Sequence, residues 1–457
     1  MASEDLVRIV ESARDEIISL HQGLIRIPTI NTGRIPTGNE KPAAELLAGK
    51  LRAEGIPAEV YESAPGRGNL VARLPGKTGS PRLLYMAHLD VVPVENESAW
   101  LYPPFSGTLA DGRIWGRGAS DDKAHATTAT MALVLLKRSG VQLDGDLIFS
   151  ACADEESGGR YGVGWMVENY PDLMRADWAV NEGGGNPIHT PSGLAYAFNV
   201  GEKGRLEVHI TLRGTSAHAA HPWRGDNVLM KAAAALQRLG DYRPELDTSL
   251  STFAEMARLY GLPTLTPHNL DQILSDMAER YPNEASTLRG LSRMTLTPTV
   301  LQAGVKSNSV PETAYLTCDV RTLPWQDDVY VREQVRRLLA DIPGTEIEIE
   351  YTAVSNSSPY ESPFVPKALE AARLALGGRE FRPLPMLTIG FTDSRFLRPL
   401  GTQVYDFWPL PPEAELNAGI HGSNEFVEVE TLLFQVRYLL ALAQLALGGT
   451  DRTLDEL

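Results

Sequence analysis

The sequence predicts an α/β protein of two domains, one inserted into the other. Three observations lead there. A chain of 457 residues is too long for one ordinary core. Its first 200 or so residues alternate helical and extended patterns. From about residue 203 the pattern changes to a separate run of strand, helix, two strands, helix and strand. With 43% hydrophobic and 22% charged residues, the chain has enough apolar side chains to fill both cores and is not disordered by composition.

The elements follow in order. Stretches at 4–26 and 40–55 carry apolar residues at helical spacing, 58–74 and 82–92 are extended, and 122–139 reads as a long helix. The run "DLIFSACAD" near 145–152 is almost wholly apolar, as a strand covered on both faces should be. These elements make a first domain over 1–202. In the second, over 203–357, strand "GRLEVHITLRG", helix "NVLMKAAAALQRLG", strands "TPTVLQAG" and "TAYLTCDVRTL", helix "VREQVRRLLADIP" and strand "TEIEIEYTAV" give the ferredoxin-like β-α-β-β-α-β order. A segment at 245–295 is too long and too helically patterned for a plain loop. The chain then returns to the first domain over 358–457.

Charge excludes some partners. With 42 basic against 58 acidic residues, the net charge of −16 repels nucleic acid phosphates and anionic membrane surfaces, so neither is expected as a partner. The opening "MASEDLVRIVESARDEIISLHQGLIRIP" interleaves charges with apolar residues, unlike a signal peptide. No uninterrupted apolar run of about 18 residues suggests a membrane span. Cys152 and Cys318 sit in apolar strand-like runs and are expected to be free, buried thiols, which favours a cytoplasmic location.

Five side chains stand where an extended stretch ends or a Gly-rich turn begins, the place where an open α/β sheet presents its site. They are His88 in "HLDVVP", Asp121 in "WGRGASDDK", Glu156 in "ADEESGG", Glu182 in "VNEGGG" and His421 in "GIHGSNEF". Imidazole and carboxylate bind zinc and its relatives, and two ions sharing a carboxylate need about three protein ligands each. Taken singly each residue has a plainer reading. Asp121 could simply cap the helix that follows it, and Glu155 and Glu156 could be a solvated loop. Asp90, two positions after His88 on the same strand face, could accept the imidazole's other N–H.

Taken together, in this order and spacing, the five motifs resemble the acetylornithine deacetylase, succinyl-diaminopimelate desuccinylase, aminoacylase and carboxypeptidase G family of dinuclear zinc hydrolases. The resemblance covers nearly the whole chain, and five short motifs in fixed order are hard to meet by chance. It implies a zinc-peptidase-like α/β/α catalytic sandwich with the inserted domain as a lid and dimerisation domain. Asp121 would bridge two zinc ions, with His88 and Glu182 completing one site and Glu156 and His421 the other. Asp90 would orient His88. Glu155 would be the general base that takes a proton from water and passes it to the leaving amine. The resemblance also implies a cis peptide between Asp121 and Asp122.

The inserted domain resembles the family at further points. His218 in "GTSAHAAHP" would reach the active site of a partner subunit and stabilise the oxyanion, which makes a homodimer the expected state. Asn308 and Arg321 in "GVKSNSVPETAYLTCDVR" would contact substrate, a guanidinium suiting a carboxylate; the plainer reading of Arg321 is an exposed charge on an edge strand. Gly390 in "TIGFTDSRFLR" would let backbone approach the substrate, although Phe391 stands where the family more often has a small residue. His221 reads as structural, and His125 as a packed or surface histidine before a third metal ligand.

The expected activity is therefore hydrolysis of the amide bond of a small peptide or N-acyl amino acid bearing a free carboxylate, by two Zn²⁺. Co²⁺ or Mn²⁺ are possible substitutes, because carboxylate-rich sites select zinc weakly. The stretch containing "PPFSG" looks closest to the carboxypeptidase S and N-acyl-amino-acid hydrolase branch, so an N-acyl-amino-acid deacylase is the alternative to a carboxypeptidase or dipeptidase. A metal-free binding protein on the same fold is the distant one.

Overall fold

The computed structural model describes residues 3–34, 37–416 and 418–448. The chain divides into two compact units: one formed up to Val200 with Ser358–Pro385 and from Thr392 onward, the other by Gly201–Ser357 with Met386–Phe391. Residues 386–391 had been expected in the first domain. They cluster with the second because the Lys203 N–H donates to the Thr388 carbonyl at 2.9 Å and the Arg205 guanidinium lies 6.0 Å from the Phe391 ring centre.

The first unit is built on a six-stranded sheet in the order Ala58–Glu62, Gly68–Leu74, Asp146–Cys152, Arg82–His88, Trp178–Val180, Gln403–Tyr405. The last four strands run parallel. Their sequences are apolar at successive positions because both faces are covered. Leu84 and Met86 point to one face, packing with Val163, Met166 and Leu397. Tyr85, between them, points to the other and donates its hydroxyl to the Leu439 carbonyl of the helix Val429–Leu447. The result is an α/β/α sandwich.

Val429–Leu447 is by length and composition apolar enough to cross a membrane, with a mean hydropathy of 1.2, but 78% of it is buried within the unit. It packs against Lys123–Arg138 and Val365–Ala375 as a core helix. Glu430, Gln435 and Arg437 interrupt its apolar run, which is why the sequence did not single it out.

In the second unit four antiparallel strands lie in the order Thr295–Ala303, Thr313–Thr322, Gly204–Arg213, Thr345–Ala353. Gly204–Arg213 buries alternate residues, and Leu206, Val208, Ile210 and Leu212 form a core with the helices Val228–Gly240 and Asp328–Leu338. Thr313–Thr322 is an internal strand, so Arg321 does not lie on an edge. The 245–295 segment contains the helices Ser251–Tyr260, Leu270–Ala278 and Pro282–Leu291. The buried Lys203 ammonium fastens the end of the last one by donating to the carbonyls of Gly290 and Arg293, each at 2.7 Å.

Candidate metal centre

The parallel strands of the first unit are in register, His88 opposite Cys152 and Tyr85 opposite Val180. Their carboxyl ends therefore fall together, and the loops leaving them carry His88, Glu155 with Glu156, and Glu182 into one place. Asp121 arrives on the loop before the helix Lys123–Arg138. The cap position of that helix is Asp122, so Asp121 is not its cap. The peptide between Asp121 and Asp122 is cis.

Two donor groups result, each with ligand atoms within 4.8 Å of one another: His88, Asp121 and Glu182, and Asp121, Glu156 and His421. The two oxygens of Asp121 face different imidazoles. Its Oδ1 lies 3.0 Å from His88 Nε2, and its Oδ2 lies 3.2 Å from His421 Nε2. His88 Nε2 is also 3.7 Å from Glu182 Oε1, and His421 Nε2 is 3.2 Å from Glu156. A tetrahedral ion with bonds of about 2.0–2.1 Å holds its ligand atoms about 3.3 Å apart, so these separations suit a small divalent cation in each group.

Protonation chemistry points the same way. His88, 2% exposed, has its Nδ1 3.0 Å from the backbone carbonyl of Asp90 and its Nε2 3.0 Å from Asp121 Oδ1. Burial opposes its charge, but Glu182, Asp121 and Asp90 hold the ring well above the usual imidazole range. A cation at Nε2 would take the place of that proton while Nδ1–H stays on the Asp90 carbonyl. The Asp90 carboxylate, expected to orient this ring, also reaches it, with Oδ1 3.4 Å from Nδ1, and against the effect of burial His88 lowers the Asp90 pKa. The same carboxylate also accepts the backbone N–H groups of Glu155 at 3.0 Å and Glu156 at 3.1 Å. Burial raises Glu155 and Glu182 well above the usual carboxylate range, against the pull of His88 and with neighbouring carboxylates adding repulsion. His421 is raised to about 10 by its hydrogen bonds to Asp121 and Glu156. A cluster this rich in carboxylates, several of them buried, attracts cations, and the donor set fits two divalent ions.

Glu425, four residues after His421 in the same motif, was given no role from the sequence. Its carboxylate is 1% exposed and accepts the N–H groups of Gly118, Ser120 and Asp121 at 2.9, 2.9 and 3.0 Å, while Arg117 donates to it at 2.6 Å. It holds the loop that presents Asp121. His125 packs over Trp408 with ring centres 4.4 Å apart and pairs with Asp122. A cavity of about 280 Å³ adjoins the cluster, lined by Asp121, Glu182, His125, Trp408, Leu410 and Gln435 among others.

The remaining candidates lie in the second unit. His218 is exposed on the short strand Ala217–His218, opposite Ser309. Its Nδ1 accepts the Ala220 N–H at 3.0 Å, which leaves Nε2 as the proton-bearing nitrogen. The Asn308 carbonyl accepts the Ala219 N–H at 3.1 Å, bringing Asn308 and His218 together. His221 is exposed beside them. Arg321 is half-buried and donates to Asp319 at 2.8 Å, and Arg205 shares that carboxylate at 3.3 Å. A Cβ at Gly390 would meet nothing within 4 Å, so no close approach within the unit explains the glycine.

An α/β sheet with two histidine–carboxylate groups at its strand ends defines a metal-dependent hydrolase. The chain belongs to peptidase family M20/M25/M40, whose model matches residues 84–445. It is 29% identical over 377 residues to the human N-fatty-acyl-amino acid synthase/hydrolase, covering 79% of this chain and 73% of that protein. The Xenopus tropicalis counterpart is 26% identical over 468 residues, covering 96% and 87%. A succinyl-diaminopimelate desuccinylase of Methylobacterium radiotolerans is 33% identical over 239 residues, covering 49% and 56%. Among solved structures, a metallo-carboxypeptidase of the M20 family from Sulfolobus solfataricus shares the fold with a TM-score of 0.69 at 20% identity, covering 94% of this chain and 99% of that one. Human carnosine dipeptidase 1 does so with a TM-score of 0.65 at 16% identity, covering 97% and 99%.

Proposed function

We propose that this chain is a two-zinc hydrolase that cleaves the amide bond of a small substrate bearing a free carboxylate, as a carboxypeptidase or dipeptidase does. The observation that carries the reading is Asp121, whose two oxygens each face a separate imidazole. His88, Asp121 and Glu182 would hold one ion, and Asp121, Glu156 and His421 the other. Bound zinc supplies Lewis acidity, polarising the carbonyl and lowering the pKa of water towards about 7.

The chain's own residues do the rest. Glu155 belongs to neither donor group, so its carboxylate is available to take the proton from the attacking water. As the C–O bond forms and the C–N bond breaks, that proton goes to the leaving nitrogen. Burial raises the Glu155 pKa, which suits a group that must first accept a proton and then give it up. The Nε2–H of His218 is a donor for the oxyanion, in a homodimer where it serves the partner subunit. Asn308 and Arg321 contact the substrate, Arg321 exchanging Asp319 for the substrate carboxylate, and Gly390 adjoins it. A cytoplasmic setting belongs to the same proposal and is supported by two buried, unpaired cysteines.

N-acyl-amino-acid deacylation is the second reading, favoured by relatives named as N-fatty-acyl-amino acid synthase/hydrolases that match over most of their length. Metal analysis of protein purified without added metal, followed by amine release from a library of dipeptides and N-acyl amino acids, tests both. Two equivalents of zinc with turnover of dipeptides supports the first reading, and turnover of N-acyl amino acids alone supports the second. A protein with no metal and no turnover would sink both.

A further inference from the structure

We infer that Asn31 and Arg67 are positioning residues for the turn that carries Glu155 and Glu156, acting through Asp90 and Asp154. Both lie upstream of residue 84, where the match to the family model begins. The inference rests on the reading of Glu155 as the general base.

After Cys152 the chain passes through Asp154 at a φ of 73° and then a single 3₁₀ turn, Glu155–Ser157. A left-handed conformation is unfavourable for a residue with a side chain and persists only where its surroundings impose it. Here they do so through a buried network. The Asn31 amide donates to Asp90 Oδ2 at 2.9 Å and to Asp154 Oδ1 at 3.1 Å, linking the two carboxylates. Asp90 in turn receives the N–H groups of Glu155 and Glu156. Arg67 donates to Asp154 Oδ1 at 2.7 Å, and the Tyr161 N–H reaches Asp154 Oδ2 at 2.9 Å.

Each brace is itself held. The Asn31 N–H donates to the Val91 carbonyl at 2.9 Å, and its Oδ1 accepts the Gly33 N–H at 2.9 Å. Arg67 spans from Asp154 to the Thr37 carbonyl at 2.8 Å and the Glu40 carboxylate at 3.1 Å. A Cβ on Gly38 would fall 1.9 Å from that guanidinium, so glycine leaves the passage open. Asn31, Arg67, Asp90 and Asp154 are all at most 5% exposed, so water does not substitute for a missing partner. Without the Asn31 amide and the Arg67 guanidinium, Asp90 would keep the Glu155 and Glu156 N–H groups and Asp154 the Tyr161 N–H. Asp90 Oδ2 and Asp154 Oδ1 would nevertheless lose the donors that tie them together, with no water to replace them. The turn would then move, and with it the Glu155 carboxylate.

The test is a double-mutant cycle between Asn31→Ala and Glu155→Gln, read by kcat, KM and bound metal. Asn31→Ala, assayed with saturating metal, is expected to lower kcat about 30-fold with KM within about threefold, while one of the two ions binds about 10-fold more weakly because Glu156 rides on the same turn. In the Glu155→Gln background the same change should cost less than about threefold, because its effect passes through Glu155. Arg67→Lys should keep more activity than Arg67→Met, which removes the charge, and these two carry the test if Asn31→Ala does not fold. Independent, multiplicative losses in the cycle, or equal losses for Lys and Met at Arg67, would overturn the inference. A wild-type rate for Glu155→Gln alone would instead remove the general-base reading, and the positioning role with it.

Discussion

His88 and His218 are the same side chain in opposite settings. His88 is 2% exposed, its Nδ1 held against the Asp90 carbonyl and its Nε2 surrounded by carboxylates. His218 stands exposed on a two-residue strand, held by one backbone N–H. The contrast is only partial across the other candidates: in the first unit Asp121, Glu156 and Glu182 are half-buried and His421 is exposed, its Nε2 held between Asp121 and Glu156, while in the second Asn308 is exposed and Arg321 is tied to Asp319. On the proposed roles, groups that would hold metal gather where the strands end and packing sets their geometry, and groups that would meet substrate sit where they can change partners.

If the contrast holds, substitutions in the two sets should separate in kind and in size. The largest effect is expected from Asp121→Ala, which removes a ligand from both groups: both ions should be lost by metal analysis, and turnover should fall below detection. Glu155→Gln should follow, lowering kcat about 10³- to 10⁴-fold with both ions retained, as loss of a general base does. A variant that lost metal together with activity would make Glu155 a ligand and break the division of labour between the adjacent glutamates.

His218→Ala should cost about 10²- to 10³-fold in kcat, the scale of a lost oxyanion donor, with metal content unchanged. Mixing it with Glu155→Ala chains should restore part of the activity if His218 serves the partner subunit. Arg321→Met should raise KM about 10- to 30-fold for substrates with a free carboxylate and change it little for the matching amides. An equal rise for both would mean that the Arg321–Asp319 pair is structural.

The smallest effect is a pH dependence of the metal-free protein. Glu155 and Glu182 are raised by burial, and His421 is raised to about 10 by Asp121 and Glu156. Groups raised on folding bind more protons in the folded state than in the unfolded one. The His421 contribution is complete below about 6.5 and disappears as pH rises through about 10. Protein stripped by chelator should therefore lose thermal stability as pH rises from about 5 to 9, while zinc-loaded protein should not, because metal competes with those protons. Calorimetry of the two forms across that range checks it, and parallel curves would sink it.

Much of the site was legible because each donor sits in a short motif whose residue types belong to its chemistry. His88, Asp121, Glu156, Glu182 and His421 were picked out by position at a strand end or Gly-rich turn, and the structure brings all five together. What stayed hidden was their support. Glu425 sat inside a motif already singled out, but a lone glutamate gives no sign that it will accept three backbone N–H groups from a loop more than 300 residues away. Asn31 and Arg67 carried still less signal: an asparagine in a loop reads as solvated, and Arg67 fell inside a run read as one extended stretch, which the structure divides into Ala58–Glu62 and Gly68–Leu74 with Arg67 buried in the turn between them. The edge-strand reading of Arg321 failed for a related reason: strand order in a sheet depends on pairing, which periodicity does not encode.

By itself the sequence determined the class of the molecule: alternating patterns for an α/β sandwich, a second run of strands and helices, and five metal-type motifs in a fixed order. These are local properties, written in side-chain period and composition. Only the tertiary structure decided which Asp121 oxygen faces which histidine, that the Asp90 backbone carbonyl stands against His88 Nδ1, and that the Asp90 carboxylate also holds the Glu155 turn. Those choices depend on distances between residues far apart in the chain, and they are fixed when the carboxyl ends of the parallel strands come into register.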